Sequence, residues 1–384
     1  MKYQKLTIKT SALACVLLLT ACGSGSTSST GIGSEQPGGT PGIPSEGTPT
    51  NPGSGTPSNP GTGIPDKPTV PVPPVQNSVI VVDGKTFTSP SEAENAIQNN
   101  SLVQFGSGVF TQGMTIRPDN VKLVGSDGTH FKGAQVQNKA TFVIAGDNVS
   151  MDNIECSGVS VPNENGACIR QEGKDLRLSG VYFHDSEQGI LTAKNTGSLI
   201  IEYSTFERLG KAGYAHAVYS ANDRLEIRYS KFYRSKDNGH EIKSRAKETL
   251  IEYSEIASLD SADSRLVDIS NGGKLTIRNS LLEQGPNTAN FQVIGFGMEG
   301  IDQSVPQSVE LTNNIILMER QKGNVLLGLP SDSSSVQISI TGNNLIGTPF
   351  NDKAEHNIQQ NNNIYDSRSA YGLGAFPELP SIGL

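Results

Sequence analysis

Ile201-Glu202-Tyr203-Ser204-Thr205-Phe206, Ile227-Arg228-Tyr229-Ser230-Lys231-Phe232, Ile251-Glu252-Tyr253-Ser254-Glu255-Ile256 and Ile277-Arg278-Asn279-Ser280-Leu281-Leu282 are four copies of one short phrase, recurring at intervals of 26, 24 and 26. Each is β-prone and bounded by Gly, Asn, Asp or Ser, and fainter copies centre on Leu123, Met151, Leu178, Leu311 and Ile340. A period in the twenties is settled before any motif is read. Strands this short leave no room for crossover helices, and no repeat carries a ten-residue segment with apolar residues at helical spacing. The arrangement that buries one face of every strand is a parallel β-solenoid, each coil stacked about 4.8 Å above the last. Equivalent residues then form ladders. Glu202, Arg228, Glu252 and Arg278 alternate in sign along one, as neighbouring strands favour, and Ile201, Ile227, Ile251 and Ile277 form a buried ladder beside it.

Upstream, Ser91 to Asn99 reads as one short helix with Ser91 as N-cap and Glu94 three residues on, placed to cover the open end of the stack. With the entry pattern Ala93 to Gly108, in which this helix is followed by Val103-Gln-Phe-Gly-Ser-Gly-Val-Phe, and with the repeats, the chain resembles the pectate-lyase-like superfamily of parallel β-helix proteins. That resemblance spans about 300 residues and implies an all-β fold, a single-stranded right-handed parallel β-helix with a short N-terminal capping helix. The superfold carries lyases, hydrolases, epimerases, esterases, adhesins and phage tailspikes, so function must come from the site.

The N-terminus has its own logic. Lys2, Lys5 and Lys9 precede the apolar run Ala12 to Leu19, too short for the roughly 20 residues of a spanning helix, so residues 1–21 read as a signal peptide. Leu19-Thr20-Ala21-Cys22 resembles a bacterial lipobox, which implies lipid on Cys22 and anchoring to a membrane. Gly23 follows, and by the sorting rule of that family this implies the outer membrane, on its periplasmic or cell-surface side. From Gly23 to Val75, 40 of 53 residues are Gly, Ser, Thr or Pro, so residues 22–75 read as a lipidated tether without a core and 76–384 as the β-helix domain. With Cys15 and Cys22 spent, Cys156 and Cys168 remain, a disulfide in an exported chain or two buried thiols.

The chain has no Trp, 12 Phe and 10 Tyr, and 18% charged residues, which excludes a helical bundle and a multi-span membrane protein. Loss of the signal peptide leaves 27 basic against 38 acidic side chains, a charge of −11, which argues against a nucleic acid partner. No phosphate loop, nucleotide fingerprint or nucleophile elbow is present.

A filled lumen confines chemistry to the outer face. One region concentrates acid–base residues: Gly213 to Ser220 with His216 and Tyr219, Asn238 to Arg245 with His240, Glu241, Lys243 and Arg245, and Arg265 to Ser270 with Asp268. His216 and His240, like Tyr219 and Lys243, are separated by the same interval as Ile227 and Ile251, one coil. With Val218, Ile242 and Val267 inward, period 2 turns Tyr219, Glu241, Lys243, Arg245 and Asp268 outward; the two His sit where the chain is still turning. His184 belongs to the same run of coils.

Such a cluster matches β-elimination on a uronate-containing polysaccharide, in which a carboxylate is neutralised, the adjacent proton removed and the leaving oxygen protonated. Lys243 is the base, its amine depressed by like charge on Arg245 and Arg265. Arg245 or Arg265 holds the carboxylate, Tyr219 or His240 protonates the leaving oxygen, and His216 orients either; Glu241 and Asp268 complete substrate binding. β-helix lyases use Lys, Arg, His or Tyr in these roles, some with calcium, for which Glu241, Asp263 and Asp268 have the right ligand type. Zinc would want a third ligand beside His216 and His240. A hydrolase would need a carboxylate cluster on adjacent coils, and only Asp268 is well placed. Glu299 lies in a loop that could wall the groove. Asn313-Asn314, Asn343-Asn344 and Asn361 to Asn363 read as turn ladders. The alternatives are an ion-pair ladder with stacked turn histidines, and a non-catalytic adhesin or glycan-binding protein on a stalk.

Overall fold

The structure, a computed structural model, describes residues 63–68, 78–347 and 361–382. The expected signal peptide, Cys22 and most of the expected tether lie outside the described residues. The body is a parallel β-solenoid: a coil contributes one short strand to each of three sheets, which hold 12, 11 and nine strands. In one coil these are Ser198–Glu202 in the first sheet, Thr205–Glu207 in the second and Val218–Ser220 in the third.

The quoted phrases all fall in the first sheet, in the register read from their spacing. Ile201, Ile227, Ile251, Ile277 and Leu311 are consecutive Cα partners, all buried, and Leu123, Met151, Leu178 and Ile340 extend the same ladder. Beside it, Arg228 Nε donates to Glu252 Oε2 at 2.9 Å and Arg278 pairs with the same carboxylate. The alternation of sign becomes a chain of surface ion pairs.

The second sheet supplies the bulk of the lumen. Phe206 and Phe232 stack with centroids 4.7 Å apart and Phe183 packs edge-on against Phe206. Cys156 occupies the place in this row between Phe131 and Phe183, and its disulfide to Cys168 of the third sheet, Cα–Cα 5.9 Å, fills the volume a ring would take.

First and second sheets are joined by two residues per coil, the first left-handed: Tyr203, Tyr229, Tyr253, Asn279 and Asn313 have φ of 50°, 51°, 47°, 51° and 55°. Asn adopts this region readily and Tyr does not. The tyrosines compensate by stacking, 5.0 and 5.4 Å between successive rings. The second residue forms a buried hydrogen-bond ladder in which each backbone N–H donates to the next coil's side chain: Ser204 to Ser230, Ser230 to Ser254, Ser254 to Ser280, then to Asn314, Asn343 and Asn362. The Asn runs are therefore the C-terminal part of one polar ladder, and serine occupies it upstream.

The capping helix spans Pro90–Ala96, earlier than its expected bounds. Ser89, not Ser91, is the N-cap, because Pro90 fits the first helical position with its fixed φ and missing N–H. Glu94 does not close a capping box; its carboxylate accepts from Thr115 N at 2.8 Å and pairs with Arg117 at 2.7 Å. The strands Ile80–Val82 and Lys85–Phe87 pair antiparallel beside Leu102–Phe105 and finish the covered end. Residues 63–68, expected from sequence to belong to a coreless tether, lie against the body: Lys67 pairs with Asp152 at 2.5 Å and Ile64 packs on the cluster holding Ile382 and Leu281.

Candidate active site

The third sheet carries the candidate residues. Ile190, Val218, Ile242, Val267 and Ile294 form its fully buried inner row. The alternate row, Leu191, Tyr219, Lys243, Asp268 and Gly295, faces out. Period 2 therefore assigns Tyr219, Lys243 and Asp268 as expected. A side chain at Gly295 would stand 2.6 Å from the Arg265 side chain and 3.0 Å from Asp268 Oδ1. Glycine thus leaves the floor on which Arg265 lies across the ladder.

Six of the side chains named from sequence meet here. Arg245 donates from Nε to the Tyr219 hydroxyl at 2.8 Å and from Nη1 to Asn271 Oδ1 at 2.5 Å, and its Nη2 pairs with Glu299. Lys243 Nζ lies 2.6 Å from Glu299 Oε1 and 3.3 Å from Asp268 Oδ2. Arg265 donates to Asp268 Oδ1 at 2.9 Å and to Gln292 Oε1 at 2.8 Å. Burial pushes the Asp268 carboxyl up, but His240, Lys243, Arg265 and the Ser270 hydroxyl outweigh it and hold the group below the usual carboxylate range. The amine expected to stand among like charges is instead bracketed by two carboxylates.

Beside this cluster opens a groove of about 610 Å³ walled by Lys194, Asp223, Arg245, Lys247, Asn271 and Glu299, among others. Lys247 is paired with Asp223 at 2.8 Å, whereas Lys194 has no ion-pair partner among the described residues. Glu299 is contributed by a loop whose Gly297 and Gly300 take φ of 69° and 100°. Sequence reading singled out Glu299 only as a wall and missed Asn271 and Lys194. Asn271 follows Arg245 by the one-coil interval of the repeat phrases, which is the signal that could have found it.

The histidines take the turn-ladder arrangement. His216 and His240 stack at 4.8 Å, His240 N donates to His216 Nδ1 at 3.0 Å, and Arg265 N donates to His240 Nδ1 at 3.1 Å. Both rings are buried, and burial pulls His240 down to about 4. Each is neutral, its Nδ1 committed to backbone, and the proton is assigned to Nε2. They hold successive turns in register at the rear of the site.

Glu241 does not face out. It precedes the strand Ile242–Ser244, where period 2 does not yet apply, and it is fully buried, accepting from Ser235 N at 2.5 Å and Ser235 Oγ at 2.7 Å. Burial and the charge of Asp263 raise its carboxyl well above the usual range. Asp263 is likewise buried, accepts from Thr288 Oγ1 at 2.8 Å, and is pushed up to about 7. Glu241, Asp263 and Asp268 are not brought within one ion's reach of one another. His184 lies on the outer face of the second sheet, away from His216 and His240.

No protein-family model, curated protein or solved structure matches the chain; the parallel β-solenoid and the side-chain geometry of its third sheet are what any functional reading has to build on.

Proposed function

We propose that the third-sheet groove binds and cleaves an acidic, uronate-containing polysaccharide by β-elimination. The observation that carries this reading is the clamp on Glu299: one carboxylate held on one oxygen by Lys243 and on the other by Arg245. Two cations converging on a single carboxylate form a recognition site for that group, and the chain's own Glu299 stands in for the uronate. Lys194, which lines the same groove, adds a positive charge for an anionic chain to meet, in a lining that also holds Asp223, Glu299 and Asp302.

In this scheme the uronate carboxylate displaces Glu299 and is held by Arg245 beside Asn271. Lys243, once its ammonium has given a proton to solvent, takes the proton from the carbon next to that carboxylate. The C–H electron pair becomes the new double bond as the adjacent C–O bond breaks, and Tyr219, hydrogen-bonded to Arg245, protonates the leaving oxygen. Arg265 and Asp268 hold the sheet face on which Lys243 stands. His216 and His240 keep the coils in register and transfer no proton. Lipid on Cys22 would carry the domain at the outer membrane, and Cys22→Ser would then move the protein from membrane to soluble fractions.

A second reading, a stalked glycan-binding protein or adhesin without catalysis, is favoured by one observation: Lys243, Arg245 and Arg265 are each already paired. One experiment separates the two. The full-length protein is incubated with a panel of acidic polysaccharides, with and without calcium, and the ultraviolet absorbance of unsaturated uronate ends is followed. A rise abolished by Lys243→Ala and by Tyr219→Phe supports elimination. Binding without product, unchanged in Lys243→Ala, supports the second reading.

A further inference from the structure

Three coils nearer the N-terminus carry a second cluster, on the outer face of a different sheet. His130, Glu155 and His184 stand on the second-sheet strands Thr129–Lys132, Glu155–Ser157 and Tyr182–His184. These strands are hydrogen-bonded neighbours, so the three residues belong to successive coils. His130 is the Cα partner of Glu155, and His184 that of Ser157 in the neighbouring row, so two imidazoles flank one carboxylate from opposite sides. Among the described residues this is the only set of three His, Cys, Asp or Glu side chains whose ligand atoms all lie within 4.8 Å of one another.

We propose that His130, Glu155 and His184 bind a divalent transition-metal ion, with zinc the best fit. Glu155 Oε1 lies 3.0 Å from His184 Nε2 and 3.4 Å from His130 Nδ1. Zinc bonds of about 2.0–2.1 Å in a tetrahedron put neighbouring ligand atoms roughly 3.3 Å apart, and these two edges bracket that value. Two imidazoles and one carboxylate suit zinc and its first-row neighbours rather than calcium or magnesium.

The outer partners point the same way. His184 Nδ1 meets Asp185 Oδ2 at 2.6 Å, and Asp185 is itself gripped by Arg208 through two bonds of 2.8 Å. That carboxylate fixes the ring's tautomer and turns Nε2 toward Glu155, the relay that orients metal-bound histidines. The far nitrogen of His130, Nε2, is held by Ser157 Oγ at 2.8 Å, leaving Nδ1 for the ion. Tyr182 stacks on the His184 ring at 4.2 Å and stiffens it further. The side chains are 18%, 29% and 14% exposed for His130, Glu155 and His184, buried enough to be rigid and open enough for a fourth ligand from solvent. Three protein ligands with one open position are the pattern of reactive rather than purely structural zinc. An imidazole must be unprotonated to bind the ion, so affinity falls as pH falls.

The test uses the untagged full-length chain, stripped with a chelator, then titrated with Co2+ followed by visible absorption and with Zn2+ by calorimetry. We expect one ion per chain, displaced competitively by zinc, with affinity lowered at least about 100-fold in Glu155→Gln and His184→Ala. The positioning variant Asp185→Asn keeps the stoichiometry, loses about 10- to 100-fold in affinity and alters the cobalt spectrum. Circular dichroism in metal-free buffer verifies that each variant is folded. Absence of cobalt uptake by the wild-type chain overturns the proposal without recourse to any variant. Uptake that persists undiminished in a folded His130→Ala/His184→Ala double variant overturns it equally.

Discussion

If Glu299 occupies the place of a substrate carboxylate, removing it should make the protein a better binder. In Glu299→Ala the clamp of Lys243 and Arg245 loses its internal anion. Glu299 is held below the usual carboxylate range: burial raises its carboxyl, and the Lys243 and Arg245 contacts outweigh that, so it competes as a full charge at neutral pH. Its side chain is 43% exposed, so each ion pair counts as a surface pair of roughly 0.5–1 kcal/mol. Two such pairs give about 1–2 kcal/mol that an incoming uronate must displace, and at 1.4 kcal/mol per decade this is about 5- to 30-fold in affinity. The assay is calorimetric titration of wild-type and Glu299→Ala full-length protein with a uronate oligosaccharide. The gain should shrink as salt is raised toward and beyond physiological strength, where the screening length is about 8 Å. Unchanged or weaker binding by Glu299→Ala, with the fold intact by circular dichroism, would refute the idea that Glu299 and the ligand share a site.

Three further predictions concern the scaffold. Cys168→Ala opens the 12-residue separation closed by the disulfide and should lower unfolding stability by about 3 kcal/mol in urea titration; a loss below about 1 kcal/mol would mean that the reduced chain is already constrained. Asn314→Ala strands the Ser280 N–H and the Ile277 carbonyl that Asn314 now satisfies and should cost about 2–4 kcal/mol, while Asn314→Ser, the residue used upstream in the ladder, should cost less; equal losses by chemical denaturation would contradict the ladder. Asp263, pushed up to about 7 in the fold from an ordinary carboxyl value, binds more protons folded than unfolded, so its contribution is fully present below the unfolded value and is lost as pH rises through about 7. Asp263→Asn should therefore flatten stability between about pH 4 and 7 and raise the melting temperature above that range; a variant melting lower at high pH would show the carboxylate to be stabilising.

The coils were legible because their ladders repeat residue types at one spacing: Ile201, Ile227, Ile251 and Ile277 announce both the pitch and the inward face. Tyr219, Lys243 and Asp268 follow, since a one-coil offset and period 2 are enough to stack them outward. Glu241 was not legible, because period 2 describes a strand and this residue belongs to the turn before one, where Ser235 captures its carboxylate. The roles of His216 and His240 hinged on the same turn geometry, and the backbone N–H groups of the next coil claimed their Nδ1 atoms. The partners of Lys243 were hidden for another reason. Glu299 arrives from a loop 56 residues further on, outside any repeat, and no spacing relates it to the amine it holds. His130 and Glu155 lie in coils whose repeat phrase is faint, so their stacking with His184 emerges only once the register of the second sheet is known.

The first-sheet charge ladder has a consequence for how such a chain can change length. Residues 224–247 form a complete coil, and cutting them out would bring Ser198–Glu202 against Glu248–Glu252 in the existing register. The isoleucines would still meet, but Glu202 would then face Glu252. Cutting two coils together, residues 224–273, would set Glu202 against Arg278 and restore the attraction. Along this stretch the hydrophobic core tolerates insertion or loss in steps of one coil, while the surface charges favour steps of two, so gene duplication or deletion here should preserve coils in pairs.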